Sequence, residues 1–112
     1  MNVIFISKVL EYFENLVITL YCKEYFGFLE TSKKYVAELI DDILTTLPIR
    51  LHKNAPEYFD KYGKSMKYAA FRKSKDTTWY AFFITYRKNN ETFYLVRYIA
   101  NNHTISQYLY NV

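Results

Sequence analysis

Apolar residues in the first half of the chain recur three and four positions apart. Val9, Leu10, Phe13, Leu16, Val17 and Leu20 form one stripe, and Tyr35, Val36, Leu39, Ile40, Ile43, Leu44 and Leu47 form a second. That spacing puts each set on one side of a helix, so two amphipathic helices are expected. Ser7 stands where the first needs an N-cap, and Thr31 or Ser32 opens the second. Gly27 is the expected stop between them, and Pro48 closes the second because a residue before proline leaves the helical region. A short connection around Gly27 makes the pair an antiparallel hairpin. Ahead of it, Val3 to Ile6 is β-branched and aromatic and reads as a strand.

The second half is patterned differently. Aromatic and β-branched runs give three expected strands, Lys67–Lys73, Thr78–Arg87 and Thr92–Ala100. The bridges Ser74–Thr77 and Lys88–Glu91 are turn-like, the second strongly so because Asn89 and Asn90 tolerate left-handed backbone. Arg50 to Met66 is a polar connection with one short turn, opened by Asn54-Ala55-Pro56, pinned by Tyr58, Phe59 and Tyr62, and ended by Gly63. Ile105 to Tyr110 is either a last helical turn or an edge strand. The order gives an α+β fold in one domain, residues 1–112: an N-terminal strand, a helical hairpin, then an antiparallel β-meander. The hairpin must bury its stripes on the sheet, so both helices are expected on one face, with the other face or its rim left for function.

Composition sharpens this picture. A chain of 112 residues buries roughly two-thirds of its unfolded surface and folds around one core. Thirteen Tyr, nine Phe and one Trp are more than such a core hides, so many tyrosines are expected half buried with the hydroxyl outward. An AT-rich genome would raise the same residue types. The net charge of +4 is unevenly placed: from Arg50 onward eleven Lys and Arg face four acids, whereas the first 49 residues carry four Lys and seven acids. Such asymmetry points to a polyanion face on the C-terminal half. The lone Cys22 excludes an internal disulfide and is expected as a buried, inert thiol. No run approaches a membrane span, and the apolar start is too short for a signal peptide, so the chain reads as cytoplasmic.

Candidate chemistry is reached by elimination. His52, His103 and Cys22 lack metal-ligand spacing, and there is no P-loop or dinucleotide fingerprint, so no metal and no cofactor is expected. Asp41 and Asp42 lie on the solvated side of a helix stripe. What remains is Lys67, Arg72, Tyr80, Arg97, His103 and Tyr108. Such groups suit RNA cleavage by its own 2′-hydroxyl, which needs a base, cations on the phosphate and an acid for the leaving oxygen. His103 titrates near neutrality, arginines hold phosphate bidentately, and tyrosines stack on unpaired bases. The plainer alternative is that Lys67, Arg72 and Arg97 are solvated strand positions, His103 caps the last strand and Tyr80 is core.

The segments Met66-Lys67-Tyr68-Ala69-Ala70-Phe71-Arg72, Thr78-Trp79-Tyr80-Ala81-Phe82-Phe83 and Tyr94 through Asn101-Asn102-His103, then Tyr108, give a pattern that resembles the RelE/ParE superfamily of bacterial toxin–antitoxin toxins. The resemblance implies the toxin of a type II system: a metal-independent endoribonuclease acting on ribosome-bound mRNA, with a cognate antitoxin as partner. It implies His103, Tyr108, Arg72 and Lys67 as catalytic residues. Arg50, Lys53, Lys73, Tyr80 and Arg97 are the expected RNA contacts. Two positions depart from the family pattern: Trp79-Tyr80 stands where Tyr-Arg is common, and Asn101-Asn102 where a basic pair is common. Those departures suit the alternatives of a non-catalytic, ParE-like inhibitor of DNA gyrase or a non-toxic relative acting as a binding protein.

Overall fold

In the computed structural model, which describes residues 2–23 and 27–110, the two apolar stripes become helices α1, Ser7–Cys22, and α2, Leu29–Thr46. Val9, Phe13 and Leu16 of α1 and Val36, Leu39 and Ile43 of α2 are buried, as their spacing requires. Ser7 is the first helical residue of α1 rather than its cap, and α2 starts at Leu29, before Thr31. Of the connection around Gly27, residues 24–26 lie outside the described residues. Cys22 is exposed at the end of α1, not buried as expected, because nine residues of helix set it about 180° around the axis from the buried Phe13.

The strands are β1 (Val3–Phe5), β2 (Lys53–Asn54), β3 (Lys67–Arg72), β4 (Thr78–Lys88) and β5 (Glu91–Asn101). They form one sheet in the order β1-β5-β4-β3-β2. The meander β3-β4-β5 is antiparallel, and β2 adds to β3 antiparallel. β1 instead lies parallel to β5, so the sheet is mixed rather than purely antiparallel. The helical excursion between them returns the chain so that β5 runs in the direction of β1. A two-residue turn joins β4 to β5, with Asn89 and Asn90 both at positive φ, the geometry that matches strand twist.

A register shift sits where Phe82 faces Tyr98 and Phe83 faces Val96, which leaves Arg97 as the extra residue of a bulge. The bulge reverses the alternation of β5. Val96 and Ile99 both point under the helical hairpin, while Tyr98 and Ala100 point to the other side. Both helices cover the first face, as expected. The second face is covered too, although only in part. A 3-10 segment, Glu57–Tyr62, lays Phe59 on it, and α3, Asn102–Tyr110, adds Ile105 and Leu109. The tail is therefore a helix that starts immediately at the end of β5, not an edge strand.

Candidate functional site

β2 pairs with only Lys67 and Tyr68 of β3, so the edge of β3 beyond Tyr68 has no neighbouring strand. Along that edge an open cavity of about 450 Å³ is lined by Arg50, Leu51, Lys53, Tyr68, Ala70 and Tyr80. Alternation along β3 puts Tyr68, Ala70 and Arg72 on the second face, where Tyr80 faces Ala70 across the ladder. Tyr68 and Tyr80 meet edge to face with centroids 5.8 Å apart. Ile49 and Leu51, 80% and 77% exposed, border the same edge. The cleft therefore joins aromatic walls, a cationic rim and a strand edge that β2 leaves after Tyr68 and Arg50 holds at Ala70.

Arg50 has a structural task here. Its Nη2 donates to both carboxylate oxygens of Asp42 at 3.0 Å, Nε to Thr46 Oγ1 at 2.8 Å and Nη1 to the Ala70 carbonyl at 3.0 Å. The guanidinium also lies 4.2 Å from the centroid of the Phe71 ring. It clamps the end of α2 onto the β3 edge, and its charge is matched by Asp42, which is thus not merely a solvated helix position. Lys53 is exposed and makes no ion pair among the described residues. Arg72 holds the β3–β4 turn by donating to the carbonyls of Ser74 and Lys75, with no acid beside it. The unmatched cations of the cleft and its rim are accordingly Lys53 and Arg72.

The expected catalytic set is dispersed. Lys67 and Arg72 sit at opposite ends of β3, about 16 Å apart by strand rise and on opposite faces by alternation. His103 and Tyr108 are five positions apart in α3, about 140° around its axis. His103 turns toward the helical hairpin, with Nε2 3.2 Å from Thr77 Oγ1, at the mouth of a separate cavity of about 470 Å³ whose walls include Tyr12, Tyr35 and Trp79. Tyr108 stacks on Tyr58 at 3.7 Å on the second face. Arg97 is no nearer the cleft: its Nε donates to the Tyr62 carbonyl at 2.8 Å and its side chain lies over Gly63, where a Cβ would come within 2.8 Å of Nε. Lys73 is drawn under the hairpin, 4.0 Å from the Glu38 carboxylate and 5.4 Å from the Tyr35 ring centroid.

The pair Asn101-Asn102 splices α3 to the β3–β4 turn. Asn101 Oδ1 accepts from the His103 backbone N–H, an N-cap. Asn102 Oδ1 accepts from the Thr78 N–H, and its Nδ2 donates to the Asp76 carbonyl. His52, for its part, donates from Nε2 to the Leu47 carbonyl at 2.8 Å and meets the Phe83 ring edge-on.

A second constellation surrounds Tyr108. Tyr58 and Lys61 are three apart in the 3-10 segment, a spacing that places them one above the other. The Lys61 Nζ lies 3.9 Å from the Tyr58 ring centroid. The Lys61 ammonium holds the Tyr58 phenol below its ordinary range, and the Tyr108 hydroxyl adds to this; Lys61 is correspondingly raised by Tyr58. Deeper in the molecule the effect reverses. Burial pushes the Tyr12 phenol up to about 12, and burial together with Tyr62, stacked at 3.8 Å, raises Tyr98 further.

Of the expected RNA contacts, Arg50, Lys53 and Tyr80 meet in one cleft, whereas Lys73 and Arg97 lie elsewhere; of the expected catalytic residues, Arg72 shares the face of the cleft, and Lys67, His103 and Tyr108 lie elsewhere. Sequence reasoning missed Tyr68, which two-residue spacing to Ala70 and Arg72 would have found. It also missed Tyr58 and Lys61 as companions of Tyr108, a contact that depends on α3 folding back. Among the described residues no helix is long and apolar enough to cross a membrane. Comparison with protein-family models, with curated proteins and with solved structures gave no match to this chain.

Proposed function

We propose that the chain is the toxin of a type II toxin–antitoxin pair and acts by holding ribosome-bound mRNA in the cleft on the β3 edge. The observation that carries this reading is the meeting of Lys53, Tyr68 and Tyr80 around one open cavity, with Arg72 on the same face. A volume of about 450 Å³ is that of a small-ligand site and admits one splayed-out nucleotide. Tyr68 and Tyr80, 9% and 6% exposed, belong to the second-face core and give the cavity a largely apolar floor under a base, while Lys53 and Arg72 suit the flanking phosphates. In the cleavage step the 2′-hydroxyl gives its proton to a base and its oxygen attacks phosphorus. The 5′-oxygen then leaves with a proton from an acid, yielding a cyclic phosphate and a free 5′-hydroxyl. Lys53 is the exposed cleft cation for the charge that develops on the phosphate, with Tyr68 and Tyr80 buried beneath it; His103 lies at a different cavity. The antitoxin would lay an acidic, extended segment along Lys53 and Arg72, beside the β3 edge that Arg50 holds at Ala70.

A binding-only action, as in an inhibitor of DNA gyrase, is favoured by one observation: His103 and Tyr108 do not converge. One experiment separates the two. Purified protein is added to a translating extract and mRNA 5′ ends are mapped, alongside expression of the protein alone, with no antitoxin supplied. Cutting at ribosome-bound positions, at least tenfold weaker for Lys53→Ala, supports the nuclease. Growth arrest with intact mRNA selects the binding-only action. Normal growth together with intact mRNA rejects both.

A further inference from the structure

The hairpin β4–β5 runs on past the rest of the sheet. Pairing of β3 with β4 stops at Lys67 and Phe83, and pairing of β1 with β5 reaches only Tyr94. Residues 85–93 therefore form a two-stranded ribbon with no neighbouring strand, reaching roughly 13 Å beyond the sheet. A lone ribbon has no core to serve, yet this one carries Tyr86 and Phe93 stacked at 5.2 Å, with Tyr86 41% exposed. Pairing register puts Lys88 and Glu91 on the same side as these rings, and Arg87 and Thr92 on the other. The Arg87 guanidinium donates to Thr92 Oγ1 and the Asn90 carbonyl and meets no acid.

At the root of the ribbon lies a notch of about 280 Å³, lined by Lys64, Ser65, Lys67, Phe83, Ile84 and Thr85. β4 has lost its β3 neighbour there, so its edge is bare. Lys64, Lys67, Arg87 and Lys88 make no ion pair among the described residues, and Glu91 is the one carboxylate on the ribbon. Four cations, an aromatic pair of which Tyr86 is exposed and Phe93 half-buried, and a strand edge left by β3 thus gather at one end of the molecule. Charge decides between occupants: a protein surface would have to bring several carboxylates, whereas a single-stranded nucleic acid brings phosphates and bases together.

We infer that this end is a second RNA contact, in which Lys64 and Lys67 hold a backbone phosphate in the notch and the Tyr86–Phe93 pair receives a base. The inference rests on the RNA reading above. A strand held at Lys53 and Arg72 that continues past the start of β3 reaches the notch within a few nucleotides, because β2 sets Lys53 opposite Tyr68, one residue from Lys67; Lys67 leaves on the opposite face, so the strand crosses the sheet margin where β3 begins. Lys67 then positions the strand and takes no part in proton transfer.

The test uses unstructured RNA of four and of twelve nucleotides, titrated into the intact protein and into a variant with Lys64→Gln, Lys67→Gln and Lys88→Gln. The wild type binds the longer strand more tightly. The variant keeps the affinity for the short strand but loses about tenfold for the long one, with a shallower salt dependence by about two phosphate contacts. Tyr86→Ala weakens the long strand alone. Equal long-strand affinity in wild type and variant, with both strands still bound, overturns this second contact and leaves the cleft standing. A change of oligomeric state in the variant without loss of RNA affinity overturns it in favour of a protein interface. Failure of the wild type to bind either strand overturns the RNA reading and this inference together.

Discussion

Under the helical hairpin the sheet presents Ala69, Phe71, Ala81, Phe83, Val96 and Ile99; on its other side it presents Tyr68, Tyr80, Phe82, Tyr98 and Ala100. The same three strands supply both sets. On the first face the covering helices have 16 and 18 residues, and the polar atom of Trp79 is satisfied by the Tyr35 hydroxyl at 2.9 Å. On the second face the cover is a six-residue 3-10 segment and a nine-residue helix. Phenols dominate there, and each needs a partner or water for its hydroxyl. One face is closed and stabilising. The other is stitched by stacked rings and leaves its β3 margin open, and that margin is where binding is proposed.

The comparison breaks most visibly in stability. Phe83→Ala empties a fully buried site beneath the hairpin and is expected to cost about 3–5 kcal/mol. Tyr108→Ala removes a half-buried ring from the second face and is expected to cost less than about 1.5 kcal/mol. Urea unfolding of both variants checks the contrast; equal losses would make the two faces one core. Asp42→Ala tests the clamp between the hairpin and the cleft. It strips Arg50 of its carboxylate, for an expected loss of roughly 2 kcal/mol, and Asp42→Asn retains part of it. If Asp42→Ala unfolds at the wild-type urea concentration, the Arg50 guanidinium is free for RNA and its structural role is withdrawn.

Alkaline titration gives a smaller effect. Burial raises Tyr12 from 10.0 to about 12, so its proton is retained in the folded chain and released in the unfolded one. Its contribution is complete below about pH 10 and is lost as pH rises toward about 12. Stability measured between pH 9 and 11.5 should fall more gently in Tyr12→Phe than in the wild type. Identical slopes would place the alkaline loss elsewhere, Tyr98 being the raised phenol of the second face.

The elements were legible because their signals are local. Helix stripes follow from a period of 3.6, and the meander from aromatic runs broken at Asn89-Asn90. The site was half legible. Lys53 and Tyr80 line one cavity because β3 lies between their strands and pairs with both. Arg97 escaped because one bulge residue reverses the alternation of β5, and nothing in the neighbouring letters announces it. His103 and Tyr108 parted because the tail is a helix whose first turn faces the hairpin and whose last faces the 3-10 segment. Arg50 found Asp42 eight residues back and Ala70 twenty residues on, contacts that only the folded edge creates.

The central claim is that polyanion binding belongs to the open margin of the second face and not to positive charge in general. Affinity for a short single-stranded RNA should be measured for Lys53→Glu and for Lys34→Glu, an exposed reversal of the same sign on α2. The account predicts a loss of at least about tenfold for Lys53→Glu and less than about threefold for Lys34→Glu, both proteins remaining folded. Equal losses, or none in Lys53→Glu, would contradict it.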